Sequence, residues 1–79
     1  MNVRFFASVK DMTGLSEASV ELPERSVAGD VVAHFVSKFP AMAELRPYLR
    51  IAVNESYVDV SHTLRNGDEV ALIPPVSGG

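Results

Sequence analysis

The sequence predicts an α+β fold: a mixed sheet of about four to five strands packed on one main helix. Three observations lead there. The runs Val3 to Ser8, Ala18 to Leu22, Arg50 to Asn54 and Glu69 to Ile73 are short, rich in apolar residues and bounded by turn residues, as strands are. One run, Ser26 to Phe39, carries the 3.6-residue periodicity of an amphipathic helix. And 79 residues with 47% hydrophobic content make a single domain near the lower size limit for a self-sufficient core.

In chain order, Val3 to Ser8 alternates, with Val3, Phe5 and Ala7 on one face and Arg4, Phe6 and Ser8 on the other. Val9 to Gly14 reads as a connector with one helical turn closed by Gly14. Ala18, Val20 and Leu22 share a face of the second strand, which Pro23 ends, and the two strands are close enough in sequence to pair as an antiparallel hairpin. Ser26 is the expected N-cap of the helix. Val27, Ala28, Val31, Val32, Phe35, Val36 and Phe39 fill its buried half, and Pro40 stops it. Gly29 and the β-branched residues lower its intrinsic propensity, so packing must hold it. Ala41 to Leu49 reads as a short helical or irregular link. Arg50 to Asn54 is a third strand, Tyr57 to Val60 a short fourth segment beyond a turn at Asn54-Glu55-Ser56, and Asn66-Gly67 a turn before the last strand, Glu69 to Ile73.

Strand, strand, helix, strand, short strand, strand is the pattern of a β-grasp domain, in which the sheet curls around one helix. Strand parity then has a consequence. If Phe5 and Leu72 face the helix, Phe6 and Ile73 face away from it, with no second helix of similar quality to cover them. Phe6, Ile73 and Tyr57 would form an apolar patch, which is a partner surface unless Phe6 and Ile73 pack under the Ala41 to Leu49 link or are ordinary scattered surface residues. Parity alone leaves both readings open.

The C-terminus departs from the rest. Pro74 and Pro75 end the strand ladder, and Val76-Ser77-Gly78-Gly79 follows. Residues 1–75 are therefore the expected domain, and 76–79 a flexible tail reaching on the order of 13 Å when extended. Gly78 and Gly79 lack side chains, so the tail fits a slot too narrow for other residues. It ends in a carboxylate, which is a poor acyl donor until another group activates it.

Composition removes several classes of function. A formal net charge of −3 and seven scattered basic residues argue against a general nucleic-acid binder. No apolar run approaches membrane-spanning length, and the N-terminus lacks the plan of a signal peptide, so the expected location is the cytoplasm. There is no cysteine, no glycine-rich phosphate loop with lysine and no metal-ligand cluster. His34 and His62 read as surface residues, and nothing in the spacing places a Ser, a His and an Asp together. If the tail acts, the chain is a carrier rather than a catalyst, and another protein activates it.

Leu64 followed by Asn66-Gly67-Asp68-Glu69-Val70-Ala71-Leu72-Ile73-Pro74-Pro75-Val76-Ser77-Gly78-Gly79 closely resembles the C-terminal signature of the small subunits of molybdopterin synthase, within the MoaD/ThiS family of ubiquitin-like β-grasp sulfur carriers. Val3-Arg4-Phe5-Phe6-Ala7 and Val53-Asn54 are similar to that family too. The resemblance implies that Gly79 is adenylated by an E1-like activating enzyme using ATP, then thiocarboxylated by a sulfur donor. Gly78 would allow threading into the large subunit, where the sulfur passes to cyclic pyranopterin monophosphate to build the dithiolene. It implies no permanently bound cofactor, and a heterotetramer of two large and two small subunits with catalysis in the large one. Phe6, Tyr57 and Ile73, with Pro74, Pro75, Val76 and Ser77, are the implied partner contacts, although Tyr57 stands where an aliphatic residue is more usual. A carrier for thiazole, cysteine or tRNA thiolation, or a ubiquitin-like modifier, shares the fold and the Gly-Gly end; the Pro-Pro-Val-Ser run favours the synthase subunit. A binding module with an inert tail is the reading of another class, and it predicts that deleting Gly78 and Gly79 changes nothing.

Overall fold

The computed structural model describes residues Met1–Pro75. The expectations placed on Val76, Ser77, Gly78 and Gly79 lie outside the described residues. The strands are β1 (Asn2–Phe5), β2 (Glu17–Ser19), β3 (Arg50–Val53), β4 (Ser56–Val58) and β5 (Glu69–Ile73), and the α-helices are α1 (Ala7–Thr13) and α2 (Ala28–Lys38). The strands form one mixed sheet in the order β2-β1-β5-β3-β4. The β1–β5 pair is parallel, with Val3 beside Val70 and Phe5 beside Leu72; β1–β2, β3–β5 and β3–β4 are antiparallel. This is the expected β-grasp arrangement, and the first two strands pair as the antiparallel hairpin that their spacing implied.

Both helices lie on one side of the sheet. Val3, Phe5, Val70, Leu72, Ile51 and Val53 face them, and they pack on Val31, Val32, Phe35 and Val9. Phe5 meets Phe35 edge to face, with ring centroids 4.9 Å apart. At roughly 1.5–3 kcal/mol per fully buried large apolar side chain, these rows are what hold the short strands together.

Several boundaries differ from the sequence reading, each for a local reason. The first strand ends at Phe5 rather than Ser8, because the chain turns a corner at Ala7, whose φ is +48°. The connector is a full helix, α1, closed by Gly14 as expected, with the Gly14 N–H donating to the Lys10 carbonyl at 2.8 Å. Only Val9 of its seven residues is buried, so its periodicity was thin. The second strand stops at Ser19, but Val20 is buried and exchanges backbone hydrogen bonds with Met1, and Leu22 packs on the core.

The N-cap of the main helix is Val27, not Ser26. Ser26 is buried and donates its hydroxyl to the Pro23 carbonyl, while Val27 is held extended in a bridge to Thr63. Asp30 accepts the Val27 N–H at 2.8 Å, so a carboxylate in the first turn does the capping. The next two donors, Ala28 N–H and Gly29 N–H, go to the carbonyls of His62 and Val60. Gly29 allows that approach, since a Cβ there would lie 3.3 Å from the Val60 oxygen. Pro40 ends the helix as expected and opens two 3-10 turns, Pro40–Glu44 and Arg46–Tyr48. Met42, in the first of them, is fully buried and seals the core beside α2.

Candidate functional site: the uncovered sheet face

The register fixes which side chains share the face opposite the helices. Arg4 lies beside Ala71, Ala71 beside Ala52, and Ala52 beside Tyr57, in one row across β1, β5, β3 and β4. Arg50 and Ile73 are paired one step nearer the tail. Alanine at the two central strands leaves a low floor between taller neighbours. The result is a shallow depression of about 320 Å³ lined by Phe6, Ile73, Tyr57 and Arg4 around Ala52 and Ala71, with Asn54, Glu55 and Glu69 at its lower edge.

Each larger side chain is there for a backbone reason. Phe6 follows the last residue of β1 and is still extended (φ −127°, ψ 152°), so the strand parity carries one residue beyond the ladder. The left-handed corner at Ala7 then sends the chain back over the helical side and leaves Phe6 behind, 40% exposed. Hydrogen bonds from Val9 N–H and Lys10 N–H to the Phe6 carbonyl hold that corner. Tyr57 is 63% exposed at the middle of β4. Ile73 is half-buried at the end of β5; Pro74 is buried and Pro75 exposed. Phe6, Tyr57 and Ile73 thus share one depression at the root of the segment beyond Pro75, and they do not pack under the link.

Two guanidinium groups sit on this face. Arg4 lies over the Phe6 ring at 5.6 Å and pairs with Glu69 at 3.5 Å, both half exposed. Arg50 lies over the Tyr57 ring at 5.0 Å. Strand parity already placed Arg4 with Phe6, and along Glu69 to Ile73 it places Ala71 on the same face as Ile73. Applied to Arg50 to Asn54, it would have added Arg50 and Ala52.

The turn that presents Tyr57 is locked from below. Asn54 and Glu55 form a two-residue loop with φ of +50° and +71°, a conformation that asparagine accepts and glutamate does not favour. The Asn54 side chain donates to Asp68 at 3.0 Å and accepts the Glu69 N–H at 3.0 Å, tying the β3–β4 loop to the start of β5. Asp68 also accepts the Arg65 N–H at 2.8 Å across the turn in which Gly67 has φ +87°. These bonds, first from the Arg65 backbone and then from Asn54, hold the Asp68 carboxyl below its ordinary value, with smaller contributions from the charges of His62 and Arg65.

Among the described residues no three His, Cys, Asp or Glu side chains are grouped to hold a metal ion, and no helix is long and apolar enough to cross a membrane. What the face offers is an apolar seat with cationic sides, next to the end of a central strand.

The comparisons with known proteins agree on the lineage. The model of the ThiS family matches residues 3–79. The molybdopterin synthase sulfur carrier subunit of Drosophila melanogaster is 39% identical over 82 aligned positions, covering 100% of this chain and 90% of that protein. A chain in the complex of subunits 1 and 2 of molybdopterin-converting factor from Helicobacter pylori is 25% identical with a TM-score of 0.69, covering 99% of this chain and 96% of that one. The small archaeal modifier protein 1 of Haloferax volcanii has a TM-score of 0.84 at 22% identity, covering 95% of each chain, a likeness of fold alone.

Proposed function

The chain belongs to the ThiS family, and on that premise we propose that it is the sulfur-carrier subunit of a molybdopterin synthase. The observation that carries the reading is the position of the apolar seat. Phe6, Tyr57 and Ile73 lie together on the uncovered face, and Ile73 is also the last strand residue before the Pro74-Pro75 step and the Gly-Gly end. Docking and delivery would share one root.

In this reading the chain supplies a carboxylate and a seat, and its partners supply the chemistry. An E1-like activating enzyme binds ATP, and the Gly79 carboxylate attacks the α-phosphorus with release of pyrophosphate. A sulfur donor displaces AMP from the acyl-adenylate, leaving a thiocarboxylate. The large synthase subunit takes the seat, accepts the tail and holds the catalytic site where the sulfur passes to cyclic pyranopterin monophosphate; hydrolysis of the remaining acyl link returns Gly79 as a carboxylate. The assembly is a heterotetramer of two large and two small subunits. ATP is the activating enzyme's substrate, no cofactor stays on this chain, and the work is cytoplasmic.

Intact-mass analysis after incubation with a molybdopterin-pathway activating enzyme, ATP and a sulfur donor tests the reading. Exchange of one oxygen for sulfur is expected, absent when Gly79 is deleted. Gly78→Val is expected to dock on the large subunit normally yet form no thiocarboxylate, because its side chain blocks the slot. An unchanged wild-type mass, with the activating enzyme shown competent on a known carrier, would refute the proposal.

A further inference from the structure

Arg50 opens β3 on the uncovered face, directly across from Ile73. Its guanidinium carbon lies over the Tyr57 ring, 5.0 Å from the centroid, a contact that satisfies none of its N–H donors. Arg4 is placed the same way over Phe6, yet it has Glu69 within 3.5 Å. That is the one ion pair among the described residues, so within them Arg50 has no carboxylate partner. The face therefore carries two ring-seated cations, one paired with a carboxylate and one with none within 4.0 Å among the described residues, Asp59 lining the same hollow as Arg50 without pairing.

The difference matters when the face is covered. A partner that buries Ile73 and Tyr57 also strips water from Arg50, which is tied to the ring and adjacent to Ile73. A desolvated cation without acceptors opposes the apolar burial around it. Any protein that docks here with useful affinity must answer those donors. A carboxylate does so best, since its two oxygens match the planar fork of the guanidinium.

We propose that the protein surface received by this face presents a carboxylate side chain against Arg50, making Arg50 a specificity determinant of docking. Arg50 flanks the depression on the far side of Tyr57; it admits a partner with an acid at that point beside the apolar side chains of the seat, and it rejects one with a neutral or basic residue there. This rests on the reading that the face docks on the large subunit of molybdopterin synthase.

The test is the affinity of the full chain for the large subunit from the same genome, measured by titration calorimetry at two salt concentrations for the wild type, R50K, R50Q and R50E. Arg50 is exposed, and circular dichroism should show all four folded. R50Q is expected to weaken binding at least tenfold and R50E at least a hundredfold, with R50K between wild type and R50Q because lysine keeps the charge and loses the fork. Raised salt should weaken the wild type more than R50Q. Conversion of the acidic residues around the large subunit's seat to lysine, one at a time, should yield one variant that restores binding to R50E, an outcome that mere support of the Tyr57 ring would not produce. Wild-type binding with R50E within threefold of it would overturn the proposal and leave the docking reading standing. Failure of the wild type to bind at all would overturn both.

Discussion

Asn54→Ala perturbs the lock beneath the seat and leaves every apolar contact of the core in place. The asparagine side chain makes two hydrogen bonds, to the Asp68 carboxylate and from the Glu69 N–H, both at 3.0 Å. Asn54 is exposed, so water replaces part of what is lost, and each bond merits the lower end of the usual range, about 0.5 kcal/mol. Its φ of +50° adds a backbone cost of roughly 1 kcal/mol for an alanine. The total is about 2 kcal/mol, which lowers the Tm of a domain this size by roughly 8–16 °C. Asn54→Gly separates the two contributions, since glycine accepts the positive φ; it should cost about 1 kcal/mol from the lost bonds and roughly 0.5 kcal/mol more for its looser unfolded state, about 1.5 kcal/mol in all. Urea melts of the three proteins, read by far-ultraviolet circular dichroism, give the comparison. An alanine variant within about 0.5 kcal/mol of wild type, or a glycine variant less stable than the alanine one, would sink the account of this turn.

Two further outcomes are expected. Ile73→Asp or Phe6→Asp should leave the monomer folded and weaken large-subunit binding by at least about 2 kcal/mol, because each places a charge where the seat must shed water; retained affinity in a folded variant would count against the seat. The Asp68 carboxyl titrates below its ordinary value of 3.8 in the folded chain, so its contribution to stability is complete above that pH and fades as the pH falls through the folded value. Acid melts of wild type and Asp68→Asn should therefore converge below pH 3.8, and a constant gap down to the lowest pH would contradict that linkage.

The strands and the main helix were legible because their patterns are long enough to average over. β5 begins and ends where the alternation says, and Ala28, Val31, Val32 and Phe35 are the buried stripe that the wheel placed there. The seat was legible for the same reason: parity put Phe6 and Ile73 on the far face from two short runs. What escaped notice depends on contacts between distant segments. The N-cap moved from Ser26 to Val27 because Thr63 pairs with Val27 across 36 positions of sequence, and no local preference encodes that. Met42 seals the core from a 3-10 turn, where neither the helical nor the strand period applies. The pairing of Arg50 with Tyr57 needed the β3–β4 register, which the two-residue loop at Asn54 and Glu55 sets.

If the seat docks on the large subunit as proposed, the sheet order makes the seat and the tail one device. β5 is the central strand, bonded to β1 on one side and β3 on the other, with Val70 and Leu72 fully buried. Its end cannot shift without breaking ladders on both sides, so docking through Ile73 would fix the point from which the last residues leave. Four residues beyond Pro75 reach on the order of 13 Å, and a receiving slot must open within that distance of the docked seat. Threading four residues also fixes their backbone, at roughly 4–8 kcal/mol of conformational entropy. Phe6 and Tyr57 are 40% and 63% exposed; with about 200 Å² per aromatic side chain, they offer roughly 200 Å² between them, or about 5 kcal/mol when covered. The rings therefore offset an amount comparable to the cost of threading. Removing them should slow sulfur delivery as well as weaken the complex, since a tail that is not held at its root must find the slot as a free chain.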